Sequence, residues 1–377
     1  MYMPVISIVM PSMNEEKTIR TCIEKSKKIF GHYGVEGEVI VVDNSSDSTA
    51  EIARSMGSRV IESVTGYGNA YITGLANAQG DYIAIADADN TYDLEELPRF
   101  LDYLMKGEAD FVIGTRLKGD IQEGSMPWLH QYIGNPFLTW MLDRLFTMNI
   151  PDAHCGMRAF TRDALDRLAL KARGMEFASE MVIEAAYKGL RIKEVPITYY
   201  RRDAPSKLRS FHDGWRHVRF MMLYRPVPFL FVPGAIVMLI GTLMTTALLL
   251  RGSVISLGLH SFILGSMLLI IGAQILSTGS YVKTYGSIHG LYEEKNDNNK
   301  ILSYRSLERE LLLGSVILVA GISSGLYIVY QWISAGYGTI SEIQYAIISM
   351  VFVAVGIQVI FGAIFTSMML LDTDAEE

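Results

Sequence analysis

Cysteine is almost missing. The 377 residues hold only Cys22 and Cys155, too few for a disulfide framework and without the paired spacing of a zinc site, so reduced thiols are the default reading. A basic excess is missing as well: 33 Lys and Arg against 40 Asp and Glu leave a formal charge of −7, which argues against bulk nucleic-acid binding as the main task. Residues 1–10 have neither a basic leader nor the sustained apolar run of a secretory signal, so the N-terminal part is expected to stay in the cytoplasm.

Charge itself is missing from most of the second half. Residues 1–225 carry most of the ionisable groups, whereas four stretches, 226–250, 257–282, 311–333 and 344–371, contain no Asp, Glu, Lys or Arg. Each exceeds the roughly 18 uncharged residues that mark a transmembrane helix. The stretch between the second and third runs carries Lys283, Lys295, Lys300, Arg305 and Arg309, while the opposite side offers only Arg251. The positive-inside rule then places both termini in the cytoplasm. The expected organisation is an α/β domain over 1–210, an amphipathic interfacial helix over 211–225, a four-helix transmembrane domain over 226–371 and a cytoplasmic tail over 372–377.

In the interfacial helix, Phe211, Trp215, Val218 and Met222 fall on one face and Arg216, Arg219 and Arg225 largely elsewhere, a pattern that suits a headgroup layer. Residues 127–150, with Trp128, Tyr132, Phe137, Trp140 and Met141, form a second aromatic stretch that fits either a membrane surface or ordinary core packing.

Five short, β-branched, almost continuously apolar runs stand in the first half: 5–10, 38–42, 59–62, 82–86 and 111–114. Helix-like stretches with polar faces, such as 15–30 and 93–106, lie between them. Buried strands alternating with helices predict a mostly parallel, doubly covered sheet, with ligands beyond the carboxyl ends of its strands. Polar clusters stand at those ends: Pro11-Ser-Met-Asn-Glu15, Asp43-Asn-Ser-Ser-Asp-Ser-Thr49, Asp87-Ala-Asp89 and Gly114-Thr-Arg116. The two carboxylates of Asp87 and Asp89, directly after an apolar strand, suit Mg²⁺ or Mn²⁺ bridging a diphosphate. Gly66-Tyr-Gly68 would let a backbone approach a ligand closely, but it lacks the position and spacing of a dinucleotide fingerprint.

In this order the clusters resemble glycosyltransferase family 2 with the GT-A fold, and within it the polyprenyl-phosphate hexose synthases related to dolichyl-phosphate mannose and glucose synthases. The resemblance covers about residues 4–225. It also takes in Asp152-Ala-His-Cys-Gly-Met-Arg158, Gly174-Met-Glu-Phe-Ala-Ser-Glu180, Arg201-Arg202 and Ser206-Lys207. It implies that Pro11, Met13, Glu15 and Asp43 hold the nucleoside, and that Asp87 and Asp89 engage the diphosphate and its metal. Asp89, Arg116, Arg202 and Lys207 are then the catalytic set, and His130, Arg158, Arg216 and Arg219 are candidates for the lipid phosphate. Glu176 and Glu180 are placed to position sugar hydroxyls. Met13, Asn44 and Thr91 depart from the common pattern, which bears on the base and the sugar.

The implied activity moves one hexose from UDP-glucose or GDP-mannose to a polyprenyl or dolichyl phosphate at the cytoplasmic membrane face, inverting the anomeric centre. Its partners are the nucleotide sugar, the lipid phosphate and membrane lipids, without nucleic acid, and a homo-oligomer is compatible with it. An acceptor phosphate is already ionised near neutrality and needs no strong base. A processive or oligosaccharide-extending transferase would be expected to carry a Gln-x-x-Arg-Trp-type motif before its spans, which this sequence lacks. A non-catalytic lipid-binding scaffold would have no use for Asp87-Ala-Asp89 and the basic residues that accompany it.

Overall fold

The computed structural model describes residues 5–62, 64–148, 150–202, 210–250, 258–291, 304–337 and 343–371. Lys207, Arg251, Lys295, Lys300 and the 372–377 tail lie outside the described residues. The chain divides into two compact units, Met1–Phe220 and Met221–Glu377.

The first unit is built on β1 (Ile6–Ser12), β2 (Gly37–Asp43), β3 (Arg59–Glu62), β4 (Tyr82–Ile85), β5 (Phe111–Ile121), β6 (Arg158–Thr161) and β7 (Ile192–Tyr199). They form one sheet in the order β3-β2-β1-β4-β6-β5-β7. Neighbours are parallel except for β6, which runs antiparallel to both β4 and β5. Every residue from Ile6 to Met10 is buried, the signature of a strand covered on both faces. The cover includes α1 (Ile19–Tyr33), α2 (Thr49–Ser55), α3 (Tyr67–Asn77), α4 (Leu97–Met105) and α6 (Arg162–Arg167). The other helices are α5 (Asn135–Phe146), α7 (Phe177–Tyr187), which packs on α3 and α5, and α8 (Ser210–Tyr224), whose last residues belong to the second unit. The five expected strands are present, and β5 runs on to Ile121. The strands β6 and β7 were not anticipated. The four residues of β6 carry Arg158 and Thr161 at their ends, while β7 is broken by the polar pair Lys193-Glu194 and contains Pro196, so neither shows the continuous apolar run of a central parallel strand.

Within the 127–150 stretch, residues 128–146 are helical, with a defect. A five-residue π turn, His130–Gly134, ends on Asn135, whose N–H donates to the His130 carbonyl. The next residue, Pro136, has no N–H to continue an α-ladder. A second π turn, Val227–Phe231, ends in the same way on Val232 ahead of Pro233.

The second unit consists of that turn followed by α9 (Val232–Leu250), α10 (Leu259–Ile288), α11 (Tyr304–Ser334) and α12 (Ile343–Leu371). Four helical segments, of 24, 30, 28 and 28 residues, are long and apolar enough to cross a membrane. They outrun the apolar stretches: α10 continues through Lys283 and α11 starts before Glu310, because charged flanks remain helical where the backbone can satisfy itself. The packing of α9 on α10 uses bare backbone. A Cβ at Gly241 would lie 2.6 Å from the Gly265 carbonyl oxygen, one at Gly272 would lie 2.5 Å from the Met238 nitrogen, and one at Gly279 would lie 3.0 Å from the Phe231 ring. The pair α11 and α12 repeats the device with Gly314, Gly321 and Gly356. There the Ser349 hydroxyl also donates across the interface to the Gly321 carbonyl, at 2.7 Å.

Candidate active site

The carboxyl ends of β1, β2 and β4 carry the site. After β1, Asn14 adopts a left-handed φ of 55°, which asparagine tolerates, and its side-chain oxygen accepts from the Ser46 amide at 2.9 Å. The Glu15 amide donates to Thr49 Oγ1 at 2.9 Å. These bonds lace the 11–15 loop to the 43–49 loop. Asp43, 3% exposed, accepts from Ser12 Oγ and Ser45 Oγ, both at 2.6 Å, and from the Ser45 amide at 3.0 Å. Glu15 is buried and Met13 is exposed, so the proposed nucleoside side has a fixed polar wall and an exposed apolar rim.

Beyond β4, Asp89 is buried and forms a local turn: its Oδ1 accepts from the Thr91 amide at 3.0 Å and the Thr91 hydroxyl at 2.6 Å. Its Oδ2 pairs with the Arg202 guanidinium. Thr91 is thus spent on Asp89. Asp87 Oδ1 accepts from the phenols of Tyr67 and Tyr71, each at 3.1 Å. Burial, followed by the neighbouring Asp89 charge, pushes the Asp87 carboxyl up to about 6 while Arg202 opposes the shift. Two carboxylates that leave room for phosphate oxygens match the way Mg²⁺ is usually held. The space agrees: Gly156 faces Asp87, and a Cβ there would sit 3.1 Å from Oδ2. No cluster of three or more His, Cys, Asp or Glu side chains occurs among the described residues, so a cation at Asp87 and Asp89 would complete its shell with ligand oxygens.

Within the first unit, Tyr67, Arg116, Arg201 and Arg202 line a cavity of about 470 Å³, together with His130, His154, Asp213 and His217. Arg116 is buried and grips Asp152 with both ends of its fork, Nε to Oδ2 at 2.8 Å and Nη2 to Oδ1 at 2.9 Å. Burial disfavours its charge, but the Asp152 carboxylate outweighs that and holds the guanidinium well above its ordinary range. His130 is pushed down by burial and then by Arg116, so it enters the cavity as a neutral ring.

The remaining candidates are dispersed. Arg158 is 1% exposed and donates to the carbonyls of Cys155 and Ala153, which makes it a clamp on the 153–155 loop. Arg216 pairs with Glu176 at 2.8 Å, and Arg219 is exposed outside the cavity. Glu180 turns inward and accepts from the amides of Lys171 and Ala172 at 2.8 to 3.0 Å. The Gly66-Tyr-Gly68 turn meets protein backbone: a Cβ on Gly66 would lie 2.8 Å from the Arg173 carbonyl oxygen, and one on Gly68 would lie 2.8 Å from that of Gly174.

Sequence reasoning missed the phenols on Asp87 and a buried imidazole pair. Ser179 Oγ contacts His217 Nδ1 at 2.7 Å and His154 Nε2 at 3.2 Å. Burial pushes His217 down to about 4 and His154 lower than its usual range, the latter with help from His217. His154 and Ser179 do lie in segments that carried the family resemblance. Their meeting with His217 depends on α8 packing, which no spacing displays.

Residues 7–169 match Glycosyl transferase family 2, and residues 280–370 match the Glycosyltransferase family 2 C-terminal transmembrane region. The chain is 41% identical to the low-salt glycan biosynthesis hexosyltransferase Agl6 of Haloferax volcanii, over 96% of this chain and 88% of that protein. It is 34% identical to the dolichyl-phosphate hexose transferase of the same organism, over 55% of this chain and 89% of that protein. Among solved structures, glucosyl-3-phosphoglycerate synthase of Mycobacterium tuberculosis, in complex with Mn²⁺, UDP and glucosyl-3-phosphoglycerate, aligns with a TM-score of 0.48 at 22% identity. The alignment covers 58% of this chain and 79% of that one.

Proposed function

We propose that this chain, which belongs to glycosyltransferase family 2, transfers one hexose from a nucleotide-diphosphate sugar to a polyprenyl or dolichyl phosphate at the cytoplasmic membrane face. One observation carries the choice of acceptor. The segment that walls the cavity with Met126, Pro127, His130, Gly134, Asn135 and Leu138 turns Trp128, Tyr132, Phe137 and Trp140 outward, each more than half exposed. A single element thus borders a cationic cavity and presents an aromatic face of the kind that settles in a headgroup layer. The names of the two archaeal relatives, a hexosyltransferase and a dolichyl-phosphate hexose transferase, support the same reading.

In this mechanism Asp87 and Asp89 would hold Mg²⁺ or Mn²⁺, which would supply charge stabilisation to the departing nucleotide diphosphate. Arg202, already on Asp89, would pass to a phosphate oxygen, and Arg116, held in place by Asp152, lines the same cavity with a fixed guanidinium. The acceptor phosphate attacks the anomeric carbon as an anion, and a single displacement inverts that centre. UDP-glucose and GDP-mannose are the donors to test first. Incubation with labelled nucleotide sugar and polyprenyl phosphate, followed by lipid extraction, should give a single-sugar phospholipid. A polymer would favour an extending transferase, and the absence of lipid product with either donor would refute the acceptor.

A further inference from the structure

We propose that Tyr67 and Tyr71 are positioning residues that lock Asp87 so that it meets the divalent cation through Oδ2 alone. The inference rests on the reading of Asp87 as a metal ligand.

Residues 67 and 71 stand one turn apart on α3, so both phenols leave the same face. Each reaches the same atom, Asp87 Oδ1, at 3.1 Å. The rings pack edge to face, with centroids 5.0 Å apart, and Tyr71, 1% exposed, stacks on Phe177 at 5.2 Å and 8°. The helix start is itself pinned, because Gly66 and Gly68 lie against the 172–174 backbone and the Asn69 amide donates to the Arg173 carbonyl at 3.1 Å. The donors therefore sit on a braced platform.

Two donors fill Oδ1 and fix the plane of the carboxylate. Among the described residues no hydrogen-bond donor reaches Oδ2, and the bare Cα of Gly156 keeps its flank open, since a Cβ there would crowd Oδ2 and the Tyr92 ring at 3.1 and 3.2 Å. A phenol keeps its proton at neutral pH, so both hydroxyls are donors. If these rings served packing alone, phenylalanine would fill the space without two hydroxyls to desolvate. Outer partners of this kind tune metal affinity by orienting the ligand.

The test uses the full chain in detergent, with Mn²⁺ alone titrated by electron paramagnetic resonance. Tyr67→Phe and Tyr71→Phe should each weaken Mn²⁺ binding by about tenfold, and the double variant by up to about 100-fold, with the thermal midpoint nearly unchanged. In the transfer assay the Mn²⁺ concentration for half-maximal rate should rise, while kcat at saturating Mn²⁺ holds. Asp87→Asn separates the two layers of the claim. If Asp87→Asn loses Mn²⁺ and the phenylalanine variants bind it like wild type, the positioning role is overturned and the metal reading stands. If Asp87→Asn also binds like wild type, the metal reading falls and this inference with it. A lowered thermal midpoint with unchanged Mn²⁺ affinity would make the hydroxyls structural only. Tyr67→Phe, at the partly exposed position, keeps the test open should the Tyr71 variant misfold.

Discussion

Asp89 spends its two oxygens differently, one on the Thr91 turn and one on Arg202. Removing the carboxylate would withdraw the proposed metal ligand and free Arg202, but it removes no apolar packing. Asp89→Ala is therefore expected to lower transfer by at least roughly 10²–10³ while the far-ultraviolet circular dichroism stays native; most of the activity surviving at saturating Mn²⁺ would take Asp89 out of the mechanism. At this scale the carboxylates were readable because they follow an apolar strand directly. Tyr67 and Tyr71 were not, since their partner lies 20 and 16 positions away along the chain and they meet it only because α3 packs on β1 and β2, with β4 beside β1. Arg158, a lipid-phosphate candidate in the sequence, is 1% exposed, and carbonyls of its own loop satisfy part of its guanidinium, a burial that a lone charge in a sequence does not display.

Among the elements, α7 carries a pH-dependent strut. Glu180 is raised from the ordinary glutamate value to about 7, chiefly by burial, against the pull of the Ala172 and Lys171 amides. The folded state therefore binds this proton more tightly than the unfolded chain. Its contribution is fully present below the unfolded value near 4.5 and is lost as pH rises through about 7, at up to about 1.4 kcal/mol per unit. The thermal midpoint should fall between pH 5 and 7.5, and Glu180→Gln should flatten that slope; an equal slope in the variant would assign it to other groups. In the spans, Gly272→Leu should drive α9 and α10 apart, because the Cβ position already touches the Met238 backbone. A loss of about 1–3 kcal/mol, seen as a lower unfolding temperature in detergent, is expected, and an unchanged temperature would mean that the helices do not approach so closely. The five continuous strands and the four uncharged runs were legible because burial on both sides, or in lipid, leaves one composition only. The strands β6 and β7 were hidden because a short antiparallel insertion, and a strand interrupted by Lys193-Glu194 and Pro196, show no such run.

For the whole molecule, the four spans bring no Asp, Glu, Lys or Arg into their central apolar stretches, and a route for ions or sugar across the bilayer would require polar groups facing an interior. Anchoring is the simpler role. A chain ending at Arg225 should bind nucleotide sugar with Mn²⁺ at near-native affinity, as read by calorimetry. It should transfer poorly to long-chain polyprenyl phosphate in vesicles, yet retain transfer to a short, soluble polyprenyl phosphate. Full activity on the vesicle-borne acceptor would remove the anchoring role, and loss of nucleotide binding would show that the spans help to form the site.

The π turn at Val227–Phe231 sets the rotational timing of the first span. Each helical residue advances the chain by about 100°, so one surplus residue ahead of Pro233 turns everything downstream by that angle relative to an unbroken α-helix. Gly234 and Gly241 face α10 in that rotated frame. Without the surplus residue the same sequence would present a neighbouring face, with bulkier side chains such as Ile240 and Leu243, to the glycines of α10. The proline that breaks the ladder thus works as a phase adjuster, placing backbone against backbone where a regular helix would have placed side chain against side chain.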